Sequence, residues 1–566
     1  MSPCITGTAI RNNRDKAAPS NVEAAFSLKR NTSKLLLPNL KKHATIIMIL
    51  LKKLVTCTGL FFICFQLLAI ESYAQPTMYP APAGLAPSTD YEVTINGQPA
   101  FVYASPAQAA YCSFDMNGPV EIIIKASRDI KWVDVRPLAL GIKPIFKDST
   151  ITIRLSKPAQ LSIELNGSIK MPLFLFANAP EKSKPSKNDA NVIFFEGGKI
   201  HHAGLIQMKS NQTVYIESGA VVIGAIIAKD ASNIKIMGRG VLDGTWNNRF
   251  NDSLIKAGAL DELSKTSNKK YQRFIELTNC ENVTIEGITL HNSTSWQVVP
   301  INCRKVVIND IKIISDQASD DGIDVVHCKG LVIKNCFIKV KDDCVVIKAY
   351  LPKGPGVQDV DGVLVENCVL WNALWGNALE IGFELNGVDV KNIRFNNCDI
   401  IHVEMGAVMS IHNAGTSTVS NIIFENIRIE DADQKLFDLA IFRSQYSDDG
   451  PSEEAERKRL YLNGAWDGVM MVPADKKEYH AAYRGKISNV IFRNISIVDG
   501  LFPYSVFYGF DKNKNVSNIT IENLKVHGKK ITNLKDAKLY MENTDNVIIR
   551  WTHQSDRSGL TEKKIL

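Results

Sequence analysis

The chain has 566 residues, of which 45% are hydrophobic and 22% are charged, so its composition is that of a globular protein and excludes wholesale disorder. The formal net charge is +7, and residues 1–74 account for all of it, with ten Lys and Arg against three Asp and Glu. The rest of the chain is close to neutral. This balance excludes a broad basic surface of the kind that binds nucleic acid.

The N-terminal region has the pattern of an export signal. From residue 48 onwards, two lysines precede an apolar run over residues 54–70, and small residues follow that run. We therefore predict a cleaved signal peptide over residues 48–74, with the protein secreted or periplasmic and not inserted stably in a membrane afterwards. The alternative is a membrane anchor. Residues 1–47 are predicted to be an unstructured upstream extension.

Residues 75–185 predict a small domain of β-strands. Segments such as VEIIIKAS and MPLFLFAN alternate or run apolar between Gly, Pro and Asn turns, without a fixed period. Short strands of this kind indicate an antiparallel β-sandwich. The polar, Pro-bearing stretch over residues 179–191 is predicted to be the linker that follows.

Residues 186–553 contain a repeat. LTNCENVTI, PINCRKVVI and VVHCKGLVI place Cys280, Cys303 and Cys328 at intervals of 23 and 25 residues, and related phrases without Cys continue the series. Self-similarity at this period indicates a solenoid, and the β-branched strands with no amphipathic helices between them favour a parallel β-helix. We therefore predict an all-β protein, with a parallel β-helix domain after the sandwich.

The cysteines of the repeat are predicted to be core residues. Eight of the eleven cysteines follow residue 74. A recurring Cys can act as a small apolar residue in an internal stack, while a recurring Asn can form an amide ladder between rungs. Disulfides, which export would permit, are the alternative, and metal binding is disfavoured because the chain contains no CxxC pair.

Two segments depart from the repeat. The stretch over residues 444–480 is predicted to be an insertion, either a surface loop or a loop that covers a cleft and presents Tyr461 or Trp466 to a ligand. Residues 554–566 are predicted to be a C-terminal tail.

Paired aspartates stand at both ends of the repeat unit SDDGIDVVHCKGLVIKNCFIKVKDDC. Asp321 and Asp342 are 21 residues apart, about one short rung, and neighbouring rungs of a β-helix are about 4.8 Å apart. The side chains of Asp321, Asp342 and Asp343 can therefore meet on one surface patch. Residues 342 and 343 can share that patch only if the backbone bends there.

Crowded carboxyl groups suit glycoside hydrolysis. Repulsion raises the pKa of at least one of them, so that it can stay protonated and donate while its neighbours activate water. Two alternatives remain open, since DDG is also good turn chemistry, and Asp320, Asp321 and Asp324 could hold calcium.

Four segments, in order, resemble motifs of the polygalacturonase family of secreted, right-handed β-helix glycosidases. They are GRGVLDG at 238–244, NSTSWQVVPINCRKVVI at 292–308, SDDGID at 319–324 and DDCVVI at 342–347. The resemblance covers roughly residues 192–550. It implies a right-handed, pectin-lyase-like solenoid that needs no metal or other cofactor. It also implies hydrolysis with inversion, with Asp342 as general acid and with Asp321 and Asp343 holding the attacking water.

The chain departs from that family in two places. Asn377 stands where the family has the His of Gly-His-Gly. Where the family has Arg-Ile-Lys, which pairs with the substrate carboxylate, VMSIHNAG offers only Ser410 and His412. Proteins usually hold a carboxylate with Arg or Lys. The departure favours a neutral sugar or a different arrangement of subsites.

A second resemblance is to dextranases, which also place a β-sandwich before a β-helix with an acidic trio. VVIKAY at 345–350 and VLWNALWGNALEIGFE at 369–384 resemble the corresponding dextranase rungs. We therefore expect a hydrolase of α-glycosidic bonds in a polysaccharide or oligosaccharide. The alternatives are a non-catalytic carbohydrate-binding β-helix and a polysaccharide lyase.

Polar and aromatic side chains near the aspartates are predicted to contact the substrate. Aromatic rings can stack on sugar faces or can equally pack in the protein, and Trp371 is a further possibility of this kind. Glu384 could add a carboxylate to the cleft or could lie at an ordinary surface position. The predicted substrate-binding residues are Trp296, Lys348, Tyr350, Trp375, Asn377, Glu380 and His412. The glycan is the only expected partner, and the chain is expected to be a monomer.

Overall fold

The structure is a computed structural model that describes residues 75–105, 107–247, 273–293, 295–317, 319–351, 353–451, 453 and 469–552. The predicted upstream extension, signal peptide and C-terminal tail lie outside the described residues. So does the middle of the predicted insertion, including Tyr461 and Trp466. Among the described residues, no helix has both the length and the apolar character needed to cross a membrane.

The N-terminal part of the described chain forms short strands in which apolar and polar residues alternate. The strands are β1 (Thr77–Met78), β2 (Tyr91–Ile95), β3 (Gln98–Ala100), β4 (Val102–Ser105), β5 (Ala109–Asp115), β6 (Val120–Ala126), β7 (Val133–Arg136), β8 (Ile145–Lys147), β9 (Thr150–Leu155), β10 (Ala159–Leu165) and β11 (Ser168–Asn178). In β6 every second residue is buried, as expected for a strand with one face on a core.

These strands build two facing sheets. One has the order β1-β5-β11-β10-β7, with β4 also paired to β5, and the other has the order β3-β2-β6-β9-β8. Val93, Ile122 and Leu173 belong to one apolar cluster between the sheets. The sandwich prediction is confirmed. The pairing is antiparallel except between β5 and β11, which lie far apart in sequence and run parallel.

Except for β37 (Arg443–Ser444) and β38 (Val469–Met470), which form a separate two-stranded sheet, the remaining described strands form the solenoid. Its first part comprises β12 (Val192–Phe195), β13 (Ile200–Met208), β14 (Thr213–Ile216), β15 (Val221–Lys229), β16 (Ser232–Gly238), β17 (Val241–Asp243), β18 (Ile275–Thr278), β19 (Glu281–Glu286), β20 (Thr289–His291), β21 (Val298–Ile301), β22 (Arg304–Asn309), β23 (Lys312–Ile314), β24 (Ile323–Val326), β25 (Lys329–Lys334) and β26 (Phe337–Val340).

The second part comprises β27 (Val345–Ala349), β28 (Val360–Glu366), β29 (Val369–Asn372), β30 (Leu379–Leu385), β31 (Val390–Asn396), β32 (Asp399–Val403), β33 (Ala407–Asn413), β34 (Thr418–Glu425), β35 (Arg428–Ile429), β36 (Lys435–Ile441), β37 (Arg443–Ser444), β38 (Val469–Met470), β39 (Lys486–Arg493), β40 (Ser496–Ile497), β41 (Tyr504–Tyr508), β42 (Val516–Glu522), β43 (Leu524–Val526), β44 (Lys529–Ile531), β45 (Leu539–Glu542) and β46 (Thr544–Arg550). Among the described residues, the helical segments are one-turn 3₁₀ helices at Leu138–Leu140, Gly244–Asn247 and Ala474–Lys476, and a short α-helix, α1, at Lys477–Ala481.

Successive turns of the solenoid pair strand on strand, in parallel. Each central rung has three strands, for example β24-β25-β26 followed by β27-β28-β29, and each strand bonds to its equivalent in the next rung. Ile323, Val345, Leu379 and Met409 occupy one register position on consecutive rungs, and all four are buried. The parallel β-helix prediction is confirmed, and the apolar column is its core.

Polar and sulfur stacks accompany this core. The Asn302 side-chain amide donates to Asn279 Oδ1 at 2.8 Å one rung away, and Asn397 donates to Asn367 in the same way at 2.7 Å. All eight described cysteines are buried and free, and the Cys303 thiol contacts the Leu277 carbonyl oxygen at 3.3 Å. The amide ladder and the core thiols predicted from the repeat are both present.

Aromatic packing joins the sandwich to the strands β26, β29 and β32. Phe174 of the sandwich lies 4.9 Å from Phe337 and 5.9 Å from Trp371, measured between ring centroids. The Trp371 indole stacks near His402 and donates to Glu404 at 2.9 Å. Trp371 is therefore part of this interface and does not face the aspartates.

Buried charges cross the same interface. The Arg136 guanidinium pairs with Glu430 at 2.8 Å and with Glu164 at 3.1 Å, and His402 Nε2 lies 3.0 Å from Glu164. Burial raises the pKa of Glu430 to about 7, even though Arg136 opposes the shift. Burial also disfavours the charged form of His402, but Asp431 and Glu164 raise its pKa to about 9.

The two ends of the 444–480 segment are anchored to the solenoid. The Asp449 carboxylate pairs with the Arg484 guanidinium, and both side chains are fully buried. His480 Nδ1 lies 2.7 Å from Asp449, and Arg484 donates to the Ala414 carbonyl oxygen at 2.5 Å. β37 and β38 pair antiparallel at the base of the segment.

The free, buried state of the cysteines leads to a test by thiol counting. A chain beginning at Gln75, denatured without reductant, is expected to show eight reactive thiols, because the packed sulfur atoms contact carbonyl oxygens and not one another as bonded pairs. A colorimetric thiol titration measures this number. The same sample after reduction and desalting is the control, and a rise in its thiol count would reveal disulfides.

Candidate active site

Two short bends carry the aspartates. Asp320 and Asp321 end the turn that enters β24, and Asp342 and Asp343 lie in the bend that enters β27 one rung later. Residues 341–344 are not strand, so the alternation of side chains is interrupted there. The backbone bend that the sequence analysis required is present.

Asp320 has a structural position. Its carboxylate is fully buried and accepts hydrogen bonds from the backbone N–H groups of Gln317 at 2.9 Å, Lys341 at 2.9 Å and Asp342 at 3.0 Å. Burial raises the pKa of Asp320 to about 6, although these N–H donors oppose the shift. Asp320 therefore ties the first bend to the second and aligns Asp342 with Asp321.

The other three aspartates form a cluster. One carboxylate oxygen from each of Asp321, Asp342 and Asp343 lies within 4.8 Å of the other two. Asp321 and Asp343 are buried, whereas Asp342 is partly exposed. The trio predicted from one rung spacing is thus brought together, with Asp342 on the solvent side.

The cluster alters the acidity of its members. Burial, followed by the charge of Asp321, raises the pKa of Asp342 well above its ordinary value. Burial and the charges of Asp342 and Asp321 do the same to the pKa of Asp343. Crowding therefore favours a protonated carboxyl group in the trio under conditions where a solvated Asp would be ionised.

Lys348 supplies the compensating charge. Its ammonium group is buried and lies 3.4 Å from Asp321, 3.7 Å from Asp324 and 3.5 Å from Glu384. Burial disfavours the ammonium, but the carboxylates of Glu384, Asp321 and Asp324 hold the pKa of Lys348 well above its ordinary value. Lys348 stays protonated and stabilises an ionised Asp321 more than it does the outer Asp342.

Asn377 orients Asp343. Its backbone N–H donates to Asp343 Oδ1 at 2.7 Å and its side-chain amide approaches the same oxygen at 3.3 Å, while its own Oδ1 accepts from the Ala407 N–H at 2.8 Å. The neighbouring Gly376 has φ of +68°, and a Cβ atom there would lie 2.4 Å from the Asp343 nitrogen. Glycine is required at this position because the next rung lies directly against the aspartate bend.

A second charged group lies on the rungs that follow. His412 Nδ1 is 3.1 Å from Glu380, and its Nε2 is 3.0 Å from Asp438, which also pairs with Lys435 at 2.6 Å. Ser410 donates to Glu380. Burial disfavours a charged imidazole, but Glu380 and Asp438 raise the pKa of His412 to about 10.

Trp296 and Tyr350 lie on the other side of Lys348. The Lys348 ammonium is 4.3 Å and the Arg273 guanidinium 4.5 Å from the centroid of the Trp296 ring. The Tyr350 ring is 6.3 Å from Trp296, and its hydroxyl accepts from Arg273 at 3.2 Å. Trp375 lies on the rung after the trio and is half-buried. The Lys341 ammonium is 4.9 Å from the centroid of the Trp375 ring.

The predicted site residues thus fall into two kinds of position. Asp321, Asp342, Asp343, Lys348 and Asn377 form one contact network. The remaining predicted residues flank it, on rungs before and after the trio: Trp296, Tyr350, Trp375, Glu380 and His412.

The sequence analysis missed part of the site. It did not distinguish Asp320 as a structural residue, and it did not find Arg273 or Asp438. Strand register shows why Asp438 belongs here, since Glu380, Ser410 and Asp438 are paired in turn across β30, β33 and β36. Alignment of the repeats rung by rung is the signal that could have found it.

The trio also has the composition of a cation site. Calcium takes six to eight oxygen ligands, and the three carboxylates supply only part of such a set. The Lys348 ammonium already lies 3.4 Å from Asp321. The arrangement suits proton transfer between crowded carboxyl groups better than it suits a divalent ion.

Comparisons with known proteins show what this solenoid and its carboxyl cluster are similar to. Residues 185–458 match the sequence profile described as Glycosyl hydrolases family 28. The resemblance to polygalacturonase-like β-helix proteins is therefore confirmed.

The curated relatives agree. A probable exopolygalacturonase B of Neosartorya fischeri is 28% identical over 221 residues, which is 36% of this chain and 45% of that protein. The protein of the same name from Aspergillus terreus is 30% identical over 221 residues, 36% of this chain and 46% of its own. The chain spans about half the length of the curated relatives it matches.

One solved structure shares most of the fold. Dex49A from Penicillium minioluteum superposes with a TM-score of 0.55 at 15% sequence identity, covering 85% of this chain and 97% of its own. The likeness concerns the fold alone.

The buried carboxyl groups lead to a prediction about stability and pH. Burial, then the charge of Asp321, raises the pKa of Asp324 well above the ordinary 3.9 or so of a solvated Asp, so this group binds its proton more tightly in the folded state. Its contribution to stability is present at acid pH and is lost as the pH rises through the raised pKa. Asp324→Asn should therefore raise the melting temperature near neutrality, by an amount equivalent to about 1 kcal/mol or more.

Thermal melts of both proteins over a range of pH measure this effect. The gain should shrink toward pH 4, where wild-type Asp324 is protonated. Asp316→Asn, a partly exposed aspartate on the turn before β24, is the control. A variant that melts below the wild type at neutral pH would show that the pairing with Lys348 outweighs the cost of burial.

Proposed function

We propose that this protein is an exported glycoside hydrolase that cleaves α-glycosidic bonds of a polysaccharide with inversion of configuration. The observation that carries the proposal is the cluster of Asp321, Asp342 and Asp343, whose carboxylate oxygens lie within 4.8 Å of one another with only Asp342 partly exposed. Export is inferred from the signal-like segment over residues 48–74.

Each aspartate has a separate role in this mechanism. Asp342, whose pKa is raised by burial and by Asp321, is the general acid and protonates the glycosidic oxygen as its bond to the anomeric carbon breaks. Asp321 and Asp343 position a water molecule, whose oxygen bonds to the anomeric carbon while its proton passes to a carboxylate. Burial raises the pKa of Asp321, and Lys348 opposes this shift and so favours the carboxylate form that the water needs, while Asn377 fixes the orientation of Asp343.

The spacing of the trio bears on the stereochemistry. Many inverting glycosidases separate acid and base by about 6.5–9.5 Å, and retaining ones by about 5–5.5 Å. The nearest oxygens here are closer than either range. Inversion is therefore inferred from the polygalacturonase-like motifs and not from this spacing, with the water held by Asp321 and Asp343 on the face of the anomeric carbon opposite the leaving oxygen.

Two kinds of substrate fit this proposal. The curated relatives are named as exopolygalacturonases, so polygalacturonate is the first candidate. A neutral α-glucan, as in a dextranase-like enzyme, is the second, and the charges around the trio favour it. A non-catalytic carbohydrate-binding role is the rival from another class, and such a protein would leave its glycan intact.

Removal of the proton donor tests the role of Asp342. Asp342→Asn keeps the shape of the side chain but cannot donate the proton, so kcat should fall by roughly 10²–10⁴-fold, the range for a general acid. Release of reducing ends from pectic, dextran and other α-linked polysaccharides measures it. Asp316→Asn should keep wild-type activity, and an equally active Asp342→Asn protein would rule out the assignment.

The stereochemical outcome is a separate test. Proton NMR of the first product formed should show the β-anomer from an α-linked substrate, because water attacks the face opposite the leaving group. The spectra must be recorded before mutarotation equalises the anomers. An initial α-anomer would contradict inversion and would point to a covalent intermediate on one of the aspartates.

A further inference from the structure

Negative charge dominates the surroundings of the trio. Contacts among the described residues connect seven carboxyl groups, those of Asp321, Asp324, Asp342, Asp343, Glu380, Glu384 and Asp438. Three cations accompany them, Lys348, His412 and Lys435. Even with Asp324, Asp342 and Asp343 protonated, as their raised pKa values favour, four carboxylates remain against three cations.

Each of these cations is already held by protein carboxylates. Lys348 lies between 3.4 and 3.7 Å from three of them, and both ring nitrogens of His412 face a carboxylate at 3.0–3.1 Å. Lys435 pairs with Asp438 at 2.6 Å. A carboxylate on the substrate would have to compete with these buried partners.

Two other cations, Arg273 and Lys341, also have partners within the protein. The Arg273 guanidinium covers Trp296, donates to Tyr350 and lies 3.6 Å from Glu276. The Lys341 ammonium lies over Trp375 and is 3.9 Å from Asp316. Among the described residues, we find no cation beside the trio that lacks an acidic or aromatic partner.

Several carboxylate oxygens here have no hydrogen-bond donor. Both oxygens of Asp324 and Oε2 of Glu384 are buried without a hydrogen bond in the described part of the chain, and Lys348 at 3.5–3.7 Å is their cationic partner. A carboxylate accepts hydrogen bonds and repels other anions, whereas a sugar hydroxyl can donate. Acceptors that lack a hydrogen-bond donor therefore suit a sugar hydroxyl better than a second anion.

We infer that the groove beside the aspartate trio binds and cleaves an uncharged α-linked glycan and discriminates against polyuronates. This inference rests on the proposed hydrolysis and adds the charge class of its substrate. A uronate residue at the cleaved bond would bring a carboxylate among ionised carboxylates, with no unpaired cation to receive it. Hydroxyl groups of a neutral sugar carry no such penalty.

The experiment compares polymers that differ only in charge. Polygalacturonate and its carboxyl-reduced form share one linkage, as do amylose and amylose oxidised to the carboxylate at C6. The wild-type protein is incubated with each, and kcat/KM is obtained from reducing-end release. Within each pair that the protein cleaves, kcat/KM should be at least tenfold higher for the uncharged polymer than for the charged one. This ratio should fall at high ionic strength because salt screens repulsion between the carboxylates.

A substitution tests the electrostatic cause. Glu384→Gln removes one carboxylate from beside Lys348, and its side chain is the most exposed of the three that contact this ammonium. The variant should reduce the preference for the uncharged polymer by twofold or more. Glu366→Gln, on β28 in another strand column, is the matched control and should leave the preference unchanged.

The outcomes separate this inference from the proposed function. Faster cleavage of polygalacturonate than of its reduced form and of every neutral glycan would overturn the inference and leave the hydrolase proposal intact. An unchanged preference in the Glu384→Gln protein would overturn the electrostatic explanation. Release of no reducing ends from any polymer would overturn the proposed function, and the inference would fall with it.

Discussion

Hydrogen bonding between parallel strands of successive rungs is the interaction on which the rest of this structure depends. It sets a repeat of about 4.8 Å along the solenoid, so side chains one rung apart in sequence become neighbours in space. Ile323, Val345 and Leu379 form a core column for this reason. The same repeat brings Asp321 beside Asp342 and Asp343 and makes an acidic site out of two ordinary bends.

The buried acidic groups of the site are stabilised by hydrogen-bond donors and by a nearby cation. Three backbone N–H donors stabilise the carboxylate of Asp320, and the Lys348 ammonium lies close to three carboxylates. Isolated buried carboxylates would be too costly, whereas paired ones can persist. Burial and then the charge of Asp321 raise the pKa of Asp342, and a raised pKa is the property that a general acid needs.

The sandwich stabilises a different side of the solenoid. Its aromatic residues cover Phe337 on β26 and Trp371 on β29, and Arg136 pairs with Glu430 across the same contact. Because Trp371 is used there, the aromatic residues left beside the site are Trp296, Tyr350 and Trp375. Because the sandwich packs on one face of the solenoid, the aromatic side chains on that face are not available to a sugar bound beside the aspartates.

The sequence by itself determined the all-β class, the solenoid, the core cysteines, the asparagine ladder and the meeting of Asp321 with Asp342 and Asp343, because all of these follow from a repeat whose spacing is visible in one dimension. It did not reveal that Asp320 is structural or that Trp371 faces the sandwich. Nor did it show that Lys348 and His412 are already paired. Those properties were decided by tertiary structure, because side-chain partners depend on strand register and on which face of each rung is covered.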